Sequence, residues 1–293
     1  MLLFLILFLL LPQPVFAQTA NSLTVAPSII RLDLATDKPE ALLEYKNTTN
    51  KTIELSLSAS DFAELEHGYK PSFLDEKTAQ NYKYSLSSWI DFDKKTLVIA
   101  PFATESVTVF INKDKLSPGG HYGSILARIT NTTDSETVQI QGVLSSLIFV
   151  RTNTGQEKEL GEIQNFAPNR TLIAFPKTFA LRFKNTGDTD LIPYGLVEIK
   201  DMFGRTVAKG ILNEGSLATL PESIRSYDIE VKANTFLFPG MYSADFKGHF
   251  GKTNQQMQAE KKFFSEGNLP IIPIGFVAAI IILYIKKRKA KKA

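Results

Sequence analysis

The sequence has no cysteine in 293 residues, and only three histidines and one tryptophan. The missing thiols exclude disulfides, a thiolate nucleophile and Cys-ligated zinc or iron–sulfur centres, so any exported domain here must be stable from its core alone. His67, His121 and His249 are scattered along the chain. The last two lie beside glycine in turn-like stretches, which points to exposed turn residues rather than to a base or a metal ligand. No H-E-x-x-H, G-x-S-x-G or P-loop pattern occurs, and no segment suits a Rossmann unit. Asp91 and Asp93 of "DFD" have too few companion oxygens to hold calcium. The chain therefore reads as non-enzymatic, with no catalytic residue, cofactor or metal.

Long apolar runs occur only at the two ends. Leu2 to Leu11 followed by Val15-Phe16-Ala17 reads as a signal peptide, residues 1–17, with cleavage after Ala17, although its first residues carry no Lys or Arg. From Leu269 to Ile285 there is no charge, and six of the last eight residues are Lys or Arg. This pattern predicts a transmembrane helix over 267–285 and a basic cytoplasmic tail over 286–293. The expected placement is a single-pass type I protein of the cell membrane with an extracellular ectodomain. "LPIIP" at 269–273 begins like a sortase signal but lacks its Thr and Gly. The net charge of +3 belongs to the tail: without those six cations, 27 Lys and Arg remain against 30 Asp and Glu, a balance of about −3. Nucleic acid is not an expected partner.

Between the ends, "TIELSLSAS", "ESVTVFIN", "SILARIT", "FALRFKN", "YGLVEIKD" and "SYDIEVK" alternate apolar and polar residues between Gly, Pro, Asn and Asp turns. The predicted fold class is all-β, two tandem immunoglobulin-like β-sandwiches ahead of the single membrane helix. A duplication supports it. "LLEYKNTTNKTIELSLSASDF" at 42–62 matches "ALRFKNTGDTDLIPYGLVEIKDMFG" at 180–204, and "LSPGGHY" at 116–122 matches "LFPGMY" at 237–242. Pro101 and Pro221 open equivalent edge strands. The expected sandwiches span 18–157 and 158–266, divided at the polar "TNTGQEKELGE". The Asn-Thr turns are explained by the tolerance of Asn and Gly for positive φ. Four N-x-S/T sequons, at Asn47, Asn50, Asn131 and Asn169, carry little weight in so Thr- and Asn-rich a chain.

The first repeat carries about 17 extra residues in an insertion over about 67–93, which holds Tyr82, Tyr84 and Trp89 among charged residues. These three form the candidate binding face for a glycan or a partner chain, because aromatics bury large area at little entropic cost. A second reading lets Trp89 and Phe92 begin a core strand and leaves Tyr82 and Tyr84 exposed. Asp61, Glu64, Glu66, Asp91 and Asp93 are the carboxylates close enough in sequence for a wall-glycan hydrolase.

With its signal peptide, "PGGHYGSIL" strand, "LFPGMY" turn, C-terminal apolar run and Lys-rich tail, the chain resembles the WxL-interacting protein family of bacterial surface proteins. That resemblance implies a membrane-tethered protein for adhesion or envelope scaffolding, with peptidoglycan or another surface protein as partner. The alternatives are a structural spacer without its own ligand and, behind it, the hydrolase.

Overall fold

A computed structural model describes residues 23–64, 71–130, 143–169, 173–268 and residue 282. The expected signal peptide and tail lie outside the described residues, as does most of the expected membrane segment. Among the described residues no helix is long and apolar enough to cross a membrane.

The first sandwich is built from β1 (Leu23–Ala26), β2 (Ile29–Asp33), β3 (Glu40–Asn47), β4 (Ile53–Glu64), β5 (Pro71–Phe73), β6 (Ile90–Phe92), β7 (Thr96–Ile99), β8 (Thr104–Ile111), β9 (Gly120–Ile129) and β10 (Val143–Arg151). A short helix, α1 (Glu76–Ala79), follows β5. One sheet runs β1-β3-β8-β6 and the other β2-β10-β9-β4-β5, with β7 also on β4. The second sandwich comprises β11 (Gly161–Asn169), β12 (Thr178–Asn185), β13 (Tyr194–Lys200), β14 (Thr206–Leu212), β15 (Ile224–Glu230), β16 (Lys232–Ala233), β17 (Gly240–Phe250) and β18 (Gln255–Ser265). Its sheets run β11-β12-β15 and β16-β14-β13-β17-β18.

Alternation does the work in each half. Leu43 and Tyr45 of β3, Leu55 and Leu57 of β4, and Val107 and Val109 of β8 all face inward, and the first core closes around them with Ile125, Ile148 and Val150. The second core gathers Phe179, Leu181 and Phe183 with Val197, Ile199, Ala244 and Phe246. The duplication holds at the level of pairing: β3 with β8 matches β12 with β15, and β4-β9-β10 matches β13-β17-β18. The fold is all-β and two-domain Ig-like.

The repeated Asn has a different role from the one expected. Neither Asn47 nor Asn185 adopts positive φ. Each is fully buried and uses its side chain as a staple. Asn47 Nδ2 donates to the carbonyls of Lys51 at 2.7 Å, Ala100 at 3.0 Å and Ile99 at 3.2 Å, while its Oδ1 accepts from the Thr49 N–H. Asn185 Nδ2 donates to Thr189 O at 2.7 Å and Thr219 O at 2.9 Å, and its Oδ1 accepts from Gly187 N–H. Both backbone N–H groups bond the residue two past the repeated proline, Ala103 O and Ser223 O, each at 3.0 Å. The buried Asn47 side chain is closed to a glycosylating enzyme.

Replacing Asn47 or Asn185 by Ala strands buried carbonyls, and each variant should lose about 1–3 kcal/mol in urea denaturation. An unchanged midpoint in both would rule out the stapling role.

Candidate functional site

The two sandwiches meet through a third apolar cluster. Phe62, Tyr84, Tyr122 and Phe149 come from the first half, Ala218 and Leu220 from the second, with Tyr82, Leu147 and Ile192 packed against them. The rings contact edge to face, Phe62 to Phe149 and Tyr122 to Phe149 both at 5.6 Å between centroids. Tyr122 lies so close to its own turn that a Cβ on Gly120 would sit 2.0 Å from its hydroxyl, which explains the glycine of "PGGHY".

Charged groups surround this cluster. Glu64 is buried and ion-paired to Arg225 across the junction, and its Oε2 accepts from Ser223 Oγ at 2.9 Å and Leu220 N–H at 3.1 Å. On the other flank, Asp190 of the second half receives Arg31 Nη1 at 2.8 Å and Arg151 Nε at 3.1 Å. Arg151 also reaches Glu159 at 2.9 Å. Burial works against the Arg151 charge, but Asp190 and Glu159 outweigh it and raise the pKa. Glu159 is held below the usual carboxylate range, the effect of burial being overcome by N–H groups of Lys252 and Thr253 and by Arg151. Lys252 closes the ring onto Asp33.

Arg31, Asp33, Arg151, Asp190 and Lys252 line a cleft of about 390 Å³ with Leu32, Phe149, Ile192 and Tyr194. Strand alternation sets its approach. Ser146, Ile148 and Val150 of β10 point inward, so Val143, Ser145, Leu147, Phe149 and Arg151 share the outer face. β2 lies parallel to β10 with Ile29 beside Leu147 and Arg31 beside Phe149, where the guanidinium sits 4.3 Å over the ring. An apolar lane thus runs along β10 and β2 into a cleft with two guanidinium groups. On the side away from β9, β2 covers only Leu147 to Arg151, so among the described residues Val143–Ser146 have an open edge there.

The residues expected to bind are used elsewhere. Tyr84 is buried in the junction, its hydroxyl donating to Glu222 at 3.0 Å. Burial, and then the Glu222 carboxylate, push its pKa up. Tyr82 is half-buried against Tyr84 at 5.7 Å. Trp89 is half-buried in the 3-10 turn Ser87–Trp89, with its carbonyl taking the Asn112 N–H. The three do not form one exposed platform, because the insertion is folded against the junction. Asp61 anchors it there, accepting from Ser85 Oγ, Leu86 N–H, Ser87 N–H and Ser87 Oγ at 2.7–2.8 Å. His121, expected at the surface, is buried with Nδ1 2.9 Å from Ser85 O and Nε2 2.9 Å from Ser117 O. It pins the insertion to the Pro-Gly turn.

The carboxylates considered for hydrolysis are likewise engaged: Asp61 and Glu64 hold loops, and Asp91 is exposed beside Lys95. Glu66 lies outside the described residues. Among the described residues no group of three or more His, Asp or Glu is placed to hold a metal.

No protein-family model and no curated protein matches the chain. Solved structures that match include fimbrial chaperones. The class 5 fimbriae chaperone CfaA is 8% identical with a TM-score of 0.43, the match covering 82% of this chain and 98% of that one. The E. coli chaperone DraB is 12% identical with a TM-score of 0.40, covering 84% and 98%. A structure of the Salmonella enterica SafA pilin with the SafB chaperone matches at 7% and 0.40, covering 83% and 96%.

These neighbours are not WxL-interacting proteins, and the expected family is corrected accordingly. The Pro-Gly turns among the motifs that suggested it have a general explanation, as devices by which a duplicated sandwich closes its loops. A membrane-tethered protein for adhesion or scaffolding and a peptidoglycan or surface-protein partner are withdrawn with that family, and the single-pass type I placement read from the terminal apolar runs is withdrawn against the same neighbours. The spacer and the hydrolase are withdrawn as well.

Arg31, Arg151 and Asp190 were not among the expected site residues. Their signal in the sequence is slight, a single arginine in the middle of an apolar strand in "SIIRLD" and another closing one in "LIFVR".

Changing Glu64 to Ala leaves Arg225 buried without its partner and should cost about 3–5 kcal/mol by chemical denaturation. The double replacement Glu64→Leu with Arg225→Leu should recover much of that loss. The segment joining the halves gives a pH test. Burial alone would raise the Glu157 pKa, but the N–H groups of Thr154 and of Glu157 itself, with the Thr152 and Thr154 hydroxyls, bring it from 4.5 to about 2. Its stabilisation is complete above pH 4.5 and lost as pH falls through about 2. Thermal melts over this range should show a smaller acid-induced drop for Glu157→Gln than for the wild type.

Proposed function

We propose that this chain is a non-enzymatic protein that holds another polypeptide along the outer face of β10 and β2, with the end of the bound segment in the junction cleft. The observation that carries it is the half-open edge of β10. Among the described residues Val143 and Ser145 have no strand partner on that side, and the exposed apolar side chains of Val143 and Ile29, each 47% exposed, stand beside them. An extended segment can add there as a strand, taking affinity from main-chain hydrogen bonds and selectivity from alternate side chains on the lane. The floor suits apolar residues, and the Arg31 side chain, partly exposed, suits a carbonyl or carboxylate at the cleft.

The partner in this reading is a polypeptide that exposes an apolar extended segment, as an incompletely folded β-subunit does. In the SafA–SafB structure the chaperone is in complex with a pilin, and a pilin is the partner proposed here.

The test is light scattering of a fimbrial subunit diluted from denaturant. The wild-type chain should suppress aggregation near a one-to-one ratio. Val143→Asp puts a charge on the open edge without touching the core, and it should suppress several-fold less at the same ratio and an unchanged melting temperature. Equal suppression by both proteins, or none by the wild type, would refute the reading.

A further inference from the structure

The second sandwich has an open seam that the β10 lane does not involve. β15 pairs with β12 on one side only. β14 is covered on its outer side by β16 at Ala208 and Lys209 alone, so among the described residues both sheets end there in free edges. The seam is pinched at one end, where a Cβ on Gly210 would lie 2.4 Å from Glu230 O and 2.9 Å from the side chains of Ile229 and Val231. Beyond the pinch it opens into a groove of about 790 Å³.

The lining is of two kinds. Leu196, Ile211 and Leu217 are 38%, 55% and 50% exposed, a large apolar share for side chains that gather around one concavity. The same groove is lined by the exposed carboxylates of Asp228 and Glu230 on β15 and by Glu214. Lys209 is paired with Glu198 at 2.8 Å and offsets little of this charge, which leaves Lys232 as the other cation of the lining. The groove therefore combines a free strand edge, an apolar wall and a surplus of negative charge.

We propose that this groove is a second polypeptide-binding site, which takes a basic, extended segment of a partner protein as a strand added to β15. Alternate side chains of such a segment point to opposite faces. Apolar ones then seat on Leu196, Ile211 and Leu217, and a Lys or Arg side chain lies across from Asp228 as a cross-strand pair, with Glu230 at the pinched end adding to the negative charge. The same charges disfavour an acidic segment, so the site selects by sign as well as by shape.

The probe is a fluorescein-labelled seven-residue peptide of alternating Lys and Val, titrated into the full chain and followed by anisotropy. Saturable binding that weakens with added salt is expected, with amide-exchange protection rising in residues 224–230. The double charge reversal Asp228→Lys with Glu230→Lys changes only exposed side chains and should weaken binding on the order of tenfold or more at an unchanged melting temperature. Val143→Asp should leave it intact, which keeps the outcome separate from the fate of the β10 reading. The proposal is overturned by absence of saturable binding to the wild type, by equal binding of a Glu-Val peptide, by equal binding to the reversed variant, or by protection confined to β10.

Discussion

The interaction on which the rest depends is the buried Glu64–Arg225 pair at the edge of the junction cluster. Taking two charges out of water is costly, and the cost is offset only where geometry and extra hydrogen bonds are good. Here the carboxylate is served by Arg225, Ser223 Oγ and Leu220 N–H together. Those three partners belong to one short stretch of the second sandwich, the Pro221 turn and the start of β15. A single residue at the end of β4 therefore fixes where that turn must stand. The aromatic cluster beside it, with Phe62 two residues before Glu64, provides the non-directional share of the same contact.

With that contact in place, the opposite flank follows. Arg31 and Arg151 approach from neighbouring strands, and Asp190 can receive both only because the second sandwich presents the chain between β12 and β13 at that spot. Glu157 and Glu159 then fold the joining segment, the first onto Thr152 and Thr154, the second onto Arg151 and the turn after β17. The cleft is thus a by-product of how the halves lock. The carboxylates of the junction belong to this lock: Asp61, Glu64, Glu159 and Asp190 each serve as hydrogen-bond acceptors in holding the frame.

Much of this was legible from the residues alone, and the limits are physical. Alternation in "ESVTVFIN" and "FALRFKN" placed β8 and β12, because a period of two along a strand with one buried face leaves little freedom. The duplication was visible in the Lys-Asn-Thr and Pro-Gly-Tyr stretches, although the Asn acts through its side chain and not through positive φ. What alternation cannot reveal is what covers the outer face of a strand. Tyr84, expected at the surface of the insertion, is a core residue of the junction, where it joins Phe149 and Leu220. The partners of Arg31 and Glu64 lie 159 and 161 positions away, a separation at which no local pattern carries information.

The strand edges themselves show a division of labour. β18 is the longest edge strand, 11 residues, and it is blunted by Glu260, Lys261 and Lys262, all exposed, the usual means by which a protein keeps an edge from pairing with other chains. The first half of β10 and the outer side of β15 are treated differently. The first half of β10 carries no charge and the exposed face of β15 carries charge of one sign only, Asp228 and Glu230, while each borders exposed apolar side chains, Val143 and Ile29 in one case, Ile211 and Leu217 in the other. Leaving them open beside apolar surface carries an aggregation hazard, which is offset if those edges are where other polypeptides are received.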